Sequence, residues 1–108
     1  AQKLERKFWE EKGYYVTEGQ GSHGASDLVC QPTEKCSHST SINVQVKAGL
    51  NKPTACNVKD LLQLHLNNAY KIVTWYSQKN KRSPYKVIRY IIENEKLLPV
   101  PTSFYLAV

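Results

Sequence analysis

Val44-Gln45-Val46-Lys47 alternates apolar and polar inside a run from Ile42 to Ala48, and this alternation constrains the fold more than any other segment. Successive side chains of a strand point to opposite faces. Val44 and Val46 therefore face a core, while Gln45 and Lys47 share the other face. A shorter apolar run, Leu28-Val29-Cys30, carries Asp27 at its head. If the two runs pair as an antiparallel hairpin, a carboxylate, an amide oxygen and an ammonium converge on one edge of a sheet. A carboxylate with a neutral oxygen suits Mg²⁺, and a neighbouring lysine suits a phosphate or an activated water.

The rest of the chain supplies elements around these two runs. Leu4 to Lys12 reads as an amphipathic helix, with Leu4 and Phe8 four apart among charged residues, and Gly13 is a good stop. Tyr14 to Thr17 is aromatic and β-branched, hence a strand. Gly19, Gly21 and Gly24 punctuate a turn whose backbone can approach a phosphate, and Pro32 to Ser41 is a polar connector. Asn57 is placed as an N-cap with Asp60 three residues on, and Leu61, Leu62, Leu66 and Ala69 follow at helical spacing. Lys71 to Tyr76 is β-rich, although the preceding helix could run on through it. Lys79 to Pro84 is a basic turn, and Tyr85 to Ile92 a strand. The order α-β-β-β-α-β-β makes one α/β domain over residues 1–108, a mixed sheet flanked by helices.

Charge is unevenly placed. Of 15 Lys and Arg against 9 Asp and Glu, nine basic and only three acidic residues fall after position 50, so the whole +6 excess lies there. A basic surface of this kind suits a nucleic acid, and Lys52, Lys79, Lys81 and Arg82 are its candidate contacts. No run of apolar residues is long enough to span a membrane, and the start has no signal-peptide pattern. Three cysteines without CxxC spacing argue against a secreted disulfide framework. A reducing, cytoplasmic setting is expected. Cys30, Cys36, His38 and Cys56 do not have a recognised zinc-finger spacing.

The charged first helix, Gly13-Tyr14-Tyr15-Val16, the Gly21-Ser22 turn leading to Asp27-Leu28-Val29, and Gln45-Val46-Lys47-Ala48-Gly49 occur in a definite order. This set resembles the PD-(D/E)XK nuclease superfamily, and within it the archaeal-type Holliday-junction resolvases and their viral relatives. The resemblance runs from about Leu4 to Gly49. It implies a restriction-endonuclease-like fold and a Mg²⁺- or Mn²⁺-dependent endonuclease acting on branched DNA as a homodimer. It also implies a 5′-phosphate and a 3′-hydroxyl as products, with host-cell cytoplasm as the setting if the source is viral. Two departures matter. The family usually carries Glu or Asp where this chain has Gln45, and tends to place Arg before the Gly-Ser turn where this chain has Glu18.

The expected catalytic set is Asp27, Gln45, Lys47, Ser22 and Glu5, with Asp27 and Gln45 as metal ligands. Asp27 could alternatively cap a turn, and Lys47 could be an ordinary strand lysine. Ser22 could bind the scissile phosphate or simply close its turn. Glu5 sits on the helix where the family has a supporting acid, although Gln2 falls nearer that position; Glu18 is the other acid available. His23 could contact phosphate or move a proton. Two rival readings stay open: a DNA-binding module on a nuclease fold that no longer cuts, and a nuclease for flapped, nicked or plain duplex DNA. The apolar tail, from Leu97 and Leu98 through Phe104 to Val108, is the expected dimer patch, with folding back over its own core as the alternative.

Overall fold

Helix α1 (Gln2–Glu11) closes at Gly13, whose φ of +97° lies in the left-handed region. A Cβ there would also meet Lys35 Cβ at 2.9 Å, so both conformation and space require glycine. The computed structural model describes residues 2–18, 27–36, 40–54, 69–80 and 82–101. After α1 come β1 (Tyr14–Glu18), β2 (Leu28–Pro32), β3 (Ser41–Gly49), β4 (Ala69–Ser77), β5 (Lys86–Glu93) and β6 (Lys96–Pro99). They form one six-stranded sheet in the order β1-β2-β3-β4-β5-β6. Every neighbouring pair is antiparallel except β3 and β4, which run parallel from Ser41↔Ala69 to Gly49↔Ser77.

The architecture is the expected α/β mixed sheet, and β2 does pair with β3 as an antiparallel neighbour. The helix expected from Asn57 lies outside the described residues up to position 68, while Ala69 belongs to β4 rather than to that helix. The ambiguity at Lys71 to Tyr76 resolves as strand. Ile72, Val73 and Thr74 are β-branched, and all three are fully buried beside β3. A further strand, β6, follows a tight turn at Asn94 and Glu95, whose φ values of 50° and 62° are both positive. Two positive-φ residues between antiparallel strands match the twist that a two-residue hairpin needs.

The core lies between α1 and one face of the sheet. Trp9 packs edge-on against Phe8 and Tyr14, with centroids 5.1 and 5.3 Å away. Val16, Leu28, Cys30, Ile42, Val44, Ile72 and Ile91 complete the cluster. Each fully buried aliphatic side chain contributes about 1.5–3 kcal/mol. Of the Leu4–Phe8 stripe that the sequence offers, Phe8 packs against the core half-buried but Leu4 does not. Leu4 is 54% exposed, and the buried pair is Glu5 and Trp9.

A buried carboxylate is tolerated only with full hydrogen bonding. Glu5 has that. Its oxygens accept from Trp9 Nε1 (2.9 Å), Tyr76 OH (2.9 Å), Thr74 Oγ1, and Arg89 Nε and Nη2 (3.1 and 2.5 Å). The Arg89 guanidinium also lies 3.4 Å over the Phe8 ring. No helix among the described residues is long and apolar enough to cross a membrane.

Candidate active site on the second face of the sheet

Thr74 reaches Glu5, so its face is the α1 face, and its register partner Val46 shares that face. Gln45 and Lys47 therefore point away from α1, onto the second face. Asp27 arrives just before the first β2–β3 rung, Leu28↔Val44. Its amide donates to Val44 O at 2.9 Å, and its Oδ2 accepts from Val46 N at 2.7 Å. The Asp27 main chain and carboxylate thus bracket Gln45 from both sides. A side-chain oxygen stands where the ladder would otherwise leave the Val46 amide open, which explains why a short acidic residue follows the glycine-rich turn.

Gln45 Oε1 is buried with no hydrogen-bond partner. An unpaired buried carbonyl oxygen costs about 1–3 kcal/mol, and such an atom calls for an explanation. Lys47 is half-buried and pairs in register with Trp75, whose Nε1 donates to Gly49 O at 3.1 Å. A cavity of about 180 Å³ opens here, lined by Lys47, Ala48, Asn51 and Pro53.

Asp27 is thus joined to β3 at Val44 and Val46, the residues that flank Gln45, and Gln45 and Lys47 share the second face. The other acids do not join them. Glu5 is wholly engaged on the α1 face. Glu18 ends β1 opposite the core residue Leu28, is exposed, and lies 3.8 Å from Arg6 Nη1. Among the described residues no group of three or more His, Cys, Asp or Glu gathers in one place. Ser22, His23 and Lys81 lie outside the described residues, as do His38 and Cys56. Cys30 sits in the core, where burial first, then the Glu5 charge and Cys36, push its thiol well above its usual range and keep it protonated.

Of the candidate DNA contacts, Lys52 is exposed with its ammonium 5.2 Å over the Tyr90 ring, and Lys79 and Arg82 are exposed between β4 and β5. The sequence reading missed the polar cluster of Thr74, Tyr76 and Arg89 around Glu5. No local pattern announces it, because its members are about 70 to 84 residues from Glu5 along the chain.

No protein-family model and no curated protein sequence matches the chain. Among solved structures it is similar to Hjc of Archaeoglobus fulgidus, a Holliday junction resolvase from an archaeal hyperthermophile. The TM-score is 0.55 at 17% identity, covering 100% of this chain and 94% of that one. The chain has the fold of that resolvase. At this identity the likeness concerns the path of the backbone, so the site rests on its own geometry.

Proposed function

We propose that the chain is a Mg²⁺-dependent DNA endonuclease, with Mn²⁺ as a substitute, that cuts branched DNA in the manner of a Holliday-junction resolvase and works as a homodimer. One observation carries this reading. Gln45 Oε1 is buried and unpartnered, Asp27 is anchored to the neighbouring residue Val46, and Lys47 shares the Gln45 face. An orphaned oxygen on the strand that holds Asp27 fits a hard cation that takes oxygen ligands and keeps much of its water. Asp27 and Gln45 would hold it. Bound there, magnesium supplies Lewis-acid polarisation of the phosphoryl group and lowers the pKa of water.

The chain's own residues do the rest. Hydrolysis adds the oxygen of water to phosphorus and breaks the bond from phosphorus to the 3′ oxygen, leaving a 5′-phosphate and a 3′-hydroxyl. Lys47 offsets negative charge as it builds on the phosphoryl oxygens. The Val46 amide fixes the direction of the Asp27 carboxylate, so little reorganisation is needed during the reaction. The exposed Lys52, Lys79 and Arg82 draw in the phosphate backbone.

Incubating the protein with labelled four-way junction, flap, duplex and single-stranded DNA, in Mg²⁺, Mn²⁺ or EDTA, tests the reading. Metal-dependent cutting of the junction in preference to duplex is expected. The absence of cutting on every substrate would instead favour a DNA-binding module that has lost catalysis. One feature favours that second reading: Asp27 is the sole carboxylate among the described residues placed at Gln45, where the family has a second acid.

A further inference from the structure

Between Leu61 and Ile92 the chain has no carboxylate, yet it carries Lys71, Lys79, Lys81, Lys86, Arg82 and Arg89. Arg89 is spent on Glu5. Part of the remainder gathers where β4 turns into β5. A cavity of about 290 Å³ lies there, lined by Ser77, Lys79, Ser83, Pro84 and Lys86. Its lining residues include two lysines and two serines, and none is acidic.

The turn that builds this cavity is held by its own polar atoms. Asn80 Oδ1 accepts from the amides of Arg82 (2.9 Å) and Ser83 (3.0 Å), and Gln78 Nε2 donates to Ser83 O at 2.6 Å. Tyr85 packs edge-on against Tyr76, with centroids 5.6 Å apart. The turn is also tied to β3, because Gly49 O accepts from Gln78 N at 3.3 Å. Through Trp75 the same carbonyl is joined to the residue paired with Lys47.

Register then places this cavity relative to Lys47. Ser77 pairs with Gly49 on one side and Lys86 on the other, so Ser77 and Lys86 share the second face with Lys47. Two residues along β3 and one strand across amount to roughly 8 Å to Ser77, and a second strand across brings Lys86 to roughly 12 Å. Successive phosphates of one DNA strand stand about 6–7 Å apart, so that is one to two nucleotides.

We infer that Ser77, Lys79, Ser83 and Lys86 form a binding site for one backbone phosphate of the DNA strand being cut, one to two nucleotides from the scissile bond. The inference rests on the DNA-cutting reading above and adds a fixed point that sets where along the strand the cut falls. Lysines supply charge without base recognition, so the site positions DNA and carries no sequence preference.

The test uses the whole chain and a fluorescent four-way DNA junction in EDTA, so that binding is read without cutting. Lys79→Gln with Lys86→Gln should reduce the slope of log affinity against log salt by about two. Lys79→Arg with Lys86→Arg should keep the slope. Both positions are exposed, so neither pair should disturb folding. A single uncharged methylphosphonate is then walked along the strand that is cut. Wild type should lose affinity at one position one to two nucleotides from the cut, and the Gln pair should be insensitive there.

An unchanged salt slope in the Gln pair overturns the inference, as does a wild-type profile with no sensitive position near the cut or a wild-type chain with no measurable affinity for the junction. Failure of the nuclease reading looks different: the junction is bound with the full salt slope but never cut in Mg²⁺. In that case the position is scored from the edge of the footprint, and sensitivity that the Gln pair does not remove overturns the site.

Discussion

Asp27 has two tasks, and a substitution can separate them. Its Oδ2 holds the Val46 amide, and among the described residues it supplies the one carboxylate anchored to β3 next to Gln45. Asn keeps an oxygen for the amide but removes the charge. Asp27→Asn should therefore fold and bind DNA like wild type while cutting at least about 10²-fold more slowly, and Lys47→Ala should behave the same way. Single-turnover cleavage beside a binding titration measures both; full activity in either variant removes that residue from the chemistry. Gln45 makes the converse prediction. Gln45→Glu places a second carboxylate beside Asp27, so half-maximal cleavage should need less Mg²⁺. A metal-dependence curve that does not move would put the Gln45 oxygen away from the cation.

At the level of elements, α1 is fastened to β4 and β5 by one carboxylate. Glu5 gathers Trp9 from its own helix, Thr74 and Tyr76 from β4, and Arg89 from β5. Breaking a buried ion pair by removing one partner typically costs about 3–5 kcal/mol, because the other charge stays behind. Glu5→Gln should lower the unfolding free energy from urea titration by that much while leaving the helix nearly isosteric. The resemblance places an acid of α1 near the metal, whereas here Glu5 and Gln45 lie on opposite faces of the sheet. Where Glu5→Gln is still folded, its cleavage rate should stay within a few-fold of wild type. A loss of 10²-fold in the folded variant would instead place Glu5 in the chemistry.

Across the whole molecule, three buried acids share one direction. Burial first, with Cys36 and Cys30 for Tyr14 and Glu5 for Tyr76, raises both phenols above their ordinary 10.0. The Cys30 thiol is likewise raised above 9.0. Each group then loses its proton in the unfolded chain before it does so in the folded one. Their contribution to stability is complete below the ordinary values and is lost as pH rises through them toward the folded-state values. Urea midpoints should hold steady up to about pH 8.5 and fall progressively from there; Tyr76→Phe should flatten part of that fall. The dimer is tested at the same scale. Two opposed cuts in a junction need two sites, and a two-fold pair supplies them. Leu98 and Val87, each 40% exposed, both stand on the α1 face, and β6 is an edge strand among the described residues, while the expected patch from Phe104 to Val108 lies outside them. Sedimentation equilibrium at micromolar concentration should give twice 12.3 kDa. A mass that stays at the single-chain value would overturn the dimer.

The local code of this sequence reached far. Alternation at Ile42 to Ala48 named β3 and assigned its faces, because a period of two is a property of the strand itself. The same rule placed Gln45 with Lys47, and an acid heading an apolar run put Asp27 beside them. The Asn94-Glu95 turn and β6 were not legible in the sequence, because Glu93, Glu95 and Lys96 separate the apolar residues on either side, and the hairpin became visible only once both turn residues took positive φ. What the sequence could not contain was the partner of each buried polar group. Leu4 and Phe8 looked like the inner stripe of α1, and the choice of Glu5 and Trp9 instead depended on Thr74, Tyr76 and Arg89 arriving from two distant strands. Which face an acid occupies, and so whether it can serve a metal, depends on strand pairing across the sheet. Tertiary structure decided that, because buried charge goes where enough donors meet.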